Sequence, residues 1–135
     1  MKKDEPMSAE EFCPIRQTIK LLGKRWTILI VKEIYFGKGR KLGFMELRRR
    51  LPDVSTKVLS ERLKEMAEAK LVRRKEHRDS KPVRVTYTLT DKGKDACEIL
   101  KVFKGYGLKW GGKDTFNCGD IDCELCPRRS ENEED

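Results

Sequence analysis

Histidine is almost missing from this chain: there is one in 135 residues. With His77 alone there is no histidine pair to hold a metal and no histidine–carboxylate arrangement for acid–base work. A phosphate-cradling P-loop, a Gly-x-Ser-x-Gly turn and a paired-carboxylate signature are also missing, so the sequence gives an enzyme reading little to stand on. Long apolar runs are absent as well. The longest aliphatic stretch, WTILIV, is far too short to cross a bilayer, and the opening MKKDEPMSAEEF has none of the apolar character of a secretory signal. The expectation is a cytoplasmic protein with no membrane partner. No aromatic platform of the kind that stacks RNA bases is evident either.

Charge, by contrast, is abundant. Two residues in five are ionic (40%), so most of the surface must be charged, while 37% hydrophobic residues in 135 suffice for one modest core. The net charge of +8 is unevenly spread: residues 20–85 carry 20 Lys/Arg against 8 Asp/Glu, and the rest carry 11 against 15. A basic block of net +12 beside a remainder of net −4 is the electrostatic footprint of a nucleic-acid partner, if its cations are suitably arranged.

The arrangement can be read from periodicity. CPIRQTIKLL spaces Ile15, Ile19 and Leu22 for one helix face, and KRWTILIVKEIYFG repeats the pattern with Trp26, Leu29, Ile30 and Ile34, Gly37 marking the stop. GKGRKLG is a basic connector. FMELRRRLPD is a short helix with Phe44 and Leu47 inward, closed by Pro52. Asp53 or Ser55 can cap STKVLSERLKEMAEAK, which sets Leu59, Leu63 and Met66 opposite a polar face of Lys57, Ser60, Glu61 and Lys64. LVRRKEHR and VRVTYTL then read as strands, the second alternating Val83, Val85, Tyr87 and Leu89 with Arg84, Thr86 and Thr88 around the turn RDSKP. Thr90 caps a long last helix striped with Ala96, Ile99, Leu100, Phe103 and Trp110.

Two short helices across a tight turn, followed by a basic hairpin, make a winged helix-turn-helix: mainly α, with a β-hairpin wing. In that geometry the second helix enters the major groove with its N-terminal residues at the base edges, and the hairpin tip reaches a neighbouring phosphate or the minor groove. The candidates for contact with double-stranded DNA are Ser55, Thr56, Lys57, Ser60 and Lys64 on the second helix, and Arg78 and Lys81 on the wing, with Arg84 weaker. Arg48, Arg49 and Arg50 precede the turn and would straddle the backbone, supplying affinity more than specificity. His77 is a wing or strand residue.

Three stretches, CPIRQTIKLLGKRWTILIVKEI, FMELRRRLPDVSTKVLSERLKEMAEAKLVRR and VTYTLTDKGK, resemble an HxlR-type transcriptional regulator, a relative of the MarR-like winged helices. The resemblance divides the chain into an N-terminal extension (1–11), a winged helix-turn-helix domain (12–112) and a cysteine-rich, then acidic tail (113–135). It implies a homodimer paired through the N-terminal and last helices, binding a roughly palindromic operator as repressor or activator. The stripe ending in Trp110, long for a core already supplied, points the same way, although Trp110 can instead be core. The resemblance also implies a role for Cys13, which precedes Pro14 where the family commonly carries a cysteine and where some relatives use the thiol as a redox switch; simple burial is the alternative. Cys97, beside Ala96, reads as core.

The tail motif lies beyond what the resemblance explains. FNCGDIDCELCPRR places Cys118, Cys123 and Cys126 at x4 and x2 spacing, close enough for thiolates to converge on one metal. Zinc and an iron–sulfur cluster both accept such ligands. A fourth ligand would come from Cys13 first, otherwise from Cys97 or a partner subunit. A metal-free thiol set, or an idle tail, is the alternative. Two other classes stay open at this level: a small metal–thiolate redox protein using its winged domain for partners, and an RNA-binding winged helix.

Overall fold

The computed structural model describes residues 12–111. In order they form α1 (Pro14–Leu22), α2 (Thr27–Tyr35), a 3-10 turn (Lys38–Arg40), β1 (Lys41–Gly43), α3 (Phe44–Arg50), α4 (Thr56–Glu68), β2 (Val72–His77), β3 (Arg84–Leu89) and α5 (Asp91–Gly111). The strands make one antiparallel sheet in the order β1-β3-β2. Helices and hairpin thus follow the sequence reading, and the fold is a winged helix-turn-helix.

The core forms where the apolar faces of α2, α3, α4 and the first half of α5 meet the inner face of the sheet. Ile30, Val31, Ile34, Leu47, Leu59 and Leu63 have no exposed surface. Each contributes about 1.5–3 kcal/mol through its removal from water. Leu51 and Val54 plug the α3–α4 turn, so the helix-turn-helix is held by packing as well as by its backbone.

Several expectations need correction. The connector GKGRKLG is no mere connector: Lys41–Gly43 pairs with Thr86–Thr88 of β3, and Leu42 is buried against Tyr87. A strand with one apolar residue has no visible alternation, and the pairing comes from the sheet edge waiting for it. α2 stops at Tyr35, before Gly37, and buries Thr27 and Val31 in place of Leu29, which stays 38% exposed. Phe44, expected to face inward, is half-buried and does pack against the core. Val83 lies outside β3, in the turn that joins the two strands of the wing, and is exposed.

The stripe on α5 divides. Ala96, Cys97 and Leu100 enter the core, whereas Phe103 and Trp110 are exposed at 58% and 71%. α5 has 21 residues, about 31 Å, and its buried positions all lie at or before Leu100. Trp110 is therefore not core. α1 is similar: it contains no buried residue, and Ile15 and Ile19 are 71% and 61% exposed.

Candidate DNA-binding surface

α4 begins with a real cap. The Ser55 hydroxyl accepts from the Val58 amide at 3.2 Å, and Ser55 itself stays extended. Asp53 does not take this role. Serine is favoured there because its short side chain satisfies one of the orphan amides of the first turn. Replacing Ser55 with alanine is expected to cost about 1 kcal/mol of stability, read as a lowered urea midpoint.

With Leu59, Leu63 and Met66 inward, Thr56, Lys57, Ser60, Glu61 and Lys64 are all exposed on the outer surface of α4. The first turn holds no acidic residue, so the positive end of the helix dipole is not neutralised where Thr56 and Lys57 stand. Arg48 and Arg49 are exposed on the last turn of α3, Arg48 lying 3.9 Å from the Met45 sulfur. Arg50 turns away from them to pair with Glu33 of α2 at 3.6 Å, so it ties α3 to α2.

Arg78 and Lys81 are exposed on the hairpin tip, but the wing has a feature that sequence reasoning missed. Glu76 pairs with Arg74 at 2.7 Å and with Arg78 at 3.0 Å. Hydrogen bonds from Arg74 first, then Arg78, hold the Glu76 carboxyl below its ordinary value, so these pairs last through mildly acidic pH and fail only below the usual carboxylate range. The Arg-x-Glu-x-Arg alternation was the available signal, since residues two apart share a strand face. His77 ends β2, and its Nε2 lies 2.9 Å from the Thr86 hydroxyl. Arg84 opens β3.

A second missed feature locks α4 to the loop between α1 and α2. Arg62 donates to the Arg25 carbonyl at 3.0 Å and pairs with Glu65 at 3.4 Å, and Glu65 also pairs with Lys24 at 3.2 Å. α4 is thereby positioned on the residues that follow α1.

Away from α4 and the wing, the exposed apolar residues of α1 and α5 line an open groove of about 380 Å³ between them, with Ile15, Ile19, Leu22, Ile99 and Phe103 among its walls. Cys13 is the partly exposed N-cap of α1 and carries a free thiol. Cys97 is buried and donates to the Gly93 carbonyl at 3.7 Å, and burial pushes its thiol up. Cys118, Cys123 and Cys126 lie outside the described residues. Among the described residues no cluster of three or more His, Cys, Asp or Glu is placed to hold a metal, and no helix is long and apolar enough to cross a membrane.

Comparison with known proteins agrees with this architecture. A family model described as HxlR-like helix-turn-helix matches residues 21–115. The HTH-type transcriptional regulator YvaP of Bacillus subtilis is 39% identical over 105 residues, covering 77% of this chain and 94% of YvaP. A MarR-family transcriptional regulator from Porphyromonas gingivalis superposes with a TM-score of 0.68 at 30% identity, over 78% of this chain and 98% of that one. The reduced form of YodB from B. subtilis superposes with a TM-score of 0.61 at 33% identity, over 73% and 93% of the two chains. YodB has also been solved after diamide treatment and with quinone bound.

Proposed function

Since this chain belongs to the HxlR-like helix-turn-helix family and is a transcriptional regulator of that type, we propose that it acts as a homodimer on a two-fold operator, with a cysteine input that alters the pairing. The apolar surface on α1 and the far half of α5 carries this reading. Phe12, Ile15, Ile19, Val102, Phe103, Tyr106 and Trp110 are each 58% or more exposed, Phe12 just ahead of α1 and the others on the two terminal helices, apart from the core. Contiguous apolar surface on this scale is unusual on a monomer and suits an interface with a second copy. Pairing two protomers doubles the phosphate and base contacts available to a small domain, and two-fold protein symmetry calls for two-fold symmetry in the operator.

Within each protomer α4 reads the major groove, with Thr56, Lys57 and Ser60 at the base edges and Lys64 on the backbone. Ser55 keeps its hydroxyl proton free for a phosphate while its oxygen caps the helix. Arg48, Arg49, Arg78 and Lys81 supply backbone contacts. Cys13 stands at the start of α1, where oxidation or alkylation changes the geometry of the paired helices, and the existence of reduced, diamide-treated and quinone-bound forms of YodB supports a thiol input in this fold. A zinc ion or iron–sulfur cluster on Cys118, Cys123 and Cys126, with Cys13 as fourth ligand, is the second reading. The thiolate spacing favours it, and Cys13 is a partly exposed free thiol at the start of α1.

The test begins with selection of an operator from randomised duplexes, followed by binding before and after diamide. A single two-fold site, with binding altered by diamide in wild type and unaltered in Cys13→Ser, is the expected result. Selection of no site, or of an asymmetric half-site, overturns the dimer reading. Metal, iron and sulfide analysis of protein purified without air decides the second reading. In sedimentation, Phe103→Glu combined with Trp110→Glu is expected to shift the dimer dissociation constant by at least about a hundredfold, because burying two carboxylates against apolar surface costs several kcal/mol.

A further inference from the structure

The register sorts the side chains of the sheet onto two faces. Leu42, Val72, Tyr87 and Leu89 point into the core. On the opposite face Lys41, Thr88 and Arg73 form one row across the three strands, Thr86 and Lys75 the next, and Arg84 stands beside His77 at the wing end. Lys41, Arg73, Lys75 and Arg84 are all exposed, and none of the three strands places an Asp or Glu on this face.

Among the described residues, none of these four cations has a carboxylate partner. Within the same hairpin Arg74 and Arg78 do have one, lying 2.7 and 3.0 Å from the Glu76 carboxylate oxygens. The two faces of one hairpin thus differ in kind. Arg74 and Arg78 are held by Glu76, while Arg73, Lys75 and Arg84 are left to repel one another. Like charges fixed on neighbouring strands destabilise a sheet, and a polyanion laid across them removes that cost.

The spacing and chemistry indicate which polyanion. Arg73 and Lys75 are two residues apart on β2, about 7 Å along the strand, with Thr86 and Thr88 beside them on β3. Evenly spaced cations with hydroxyls between them suit a phosphodiester backbone. A folded protein partner would want the apolar and aromatic centre that protein interfaces use, and this face has no large apolar side chain. β2 and β3 are also the strands of the wing, so the face is continuous with the surface assigned to the operator.

We infer that the outer face of the sheet is a second, sequence-independent phosphate-binding surface, which takes the backbone of duplex DNA flanking the operator half-site. DNA longer than the operator core is drawn against the sheet, and Lys41, Arg73, Lys75 and Arg84 hold it. The inference rests on the reading of the wing as a DNA contact, and the two can fail separately.

The full-length chain would be measured on the selected operator core and on the same core extended by about two helical turns at each end. Wild type is expected to bind the extended duplex about tenfold more tightly, with a steeper dependence on salt. Arg73→Gln/Lys75→Gln and Lys41→Gln/Arg73→Gln should each lose most of that increment and keep core affinity within about twofold. Circular dichroism melts should not fall, since the substituted side chains are exposed and losing their charge relieves the repulsion. Equal affinity of wild type for the two duplexes overturns the inference, as does a variant that keeps the increment or one that weakens on both duplexes alike. If no operator is selected, the reading of α4 and the wing fails, and the sheet face is still judged on a long random duplex. There the variants should show a shallower salt dependence, and an unchanged slope rejects the surface.

Discussion

Thr56→Ala, Lys57→Ala and Ser60→Ala in one chain are expected to reduce affinity for the selected operator about a thousandfold or more, while random duplex loses about tenfold at most. The asymmetry follows from what each group does. Base-edge contacts in the major groove each contribute about 1–3 kcal/mol of discrimination, and a factor of ten needs only about 1.4 kcal/mol. Removing three such side chains from each protomer therefore removes most of the specificity. Of the three only Lys57 is cationic, so the slope of affinity against salt should fall by about one for each protomer. All three are exposed, so folding stability should stay within about 1 kcal/mol. Ser55→Ala reverses the pattern, lowering stability through the lost cap while leaving discrimination largely intact. Titration of operator and random duplex over a salt series checks this. Equal losses on both DNAs would mean that α4 supplies charge and reads no bases.

α4 was legible because several independent signals coincide there: a serine cap, a 3.6-residue period in Leu59, Leu63 and Met66, and an unbroken polar face. Local preference and packing agree, so the element forms where its residues say it should. The hairpin was legible for a similar reason, through the alternation of Val85, Tyr87 and Leu89. β1 was not, since its one apolar residue, Leu42, carries no period and the strand exists because β3 offers it an edge. α5 shows a different limit. Its period declares Phe103 and Trp110 apolar, and a period tells which side chains avoid water without telling which surface covers them. The Glu76 pairs and the link from Arg62 to Arg25 were hidden too, the second because it joins residues 37 positions apart. Arg50 shows how a run of like charges misleads: three consecutive arginines suggest one role, yet the helix turns the third toward Glu33.

The joint between α4, β2 and α5 carries the second large effect. α4 ends with Lys70 in the left-handed region at φ 65°, the Leu71 amide donating to Met66 at 2.9 Å and the Lys70 amide to Ala67 at 3.1 Å. α5 starts on top of that turn. The Thr90 hydroxyl reaches the Lys70 and Leu71 carbonyls while its oxygen accepts from the Gly93 amide at 3.2 Å, and Lys92 donates to the Ala69 carbonyl at 2.8 Å. Gly93 is buried against this turn, and a Cβ there would run into the Leu71 carbonyl oxygen, with Leu89 at 3.0 Å. Backbone cannot move aside as a flexible side chain can. Gly93→Ala is therefore expected to destabilise the domain by about 2–3 kcal/mol, despite alanine's better helix propensity. For a domain of this size that is a fall in Tm of roughly 10–20 °C. Gly107 is the internal control, because a Cβ there meets nothing within 4 Å in the protomer. Gly107→Ala should raise protomer stability by up to about 1 kcal/mol. Thermal melts of the two variants, taken at several protein concentrations, separate the effects: the Gly93 penalty should be present at every concentration, and a Gly107 change that turns unfavourable as dimer forms would put a second copy against that stretch of α5.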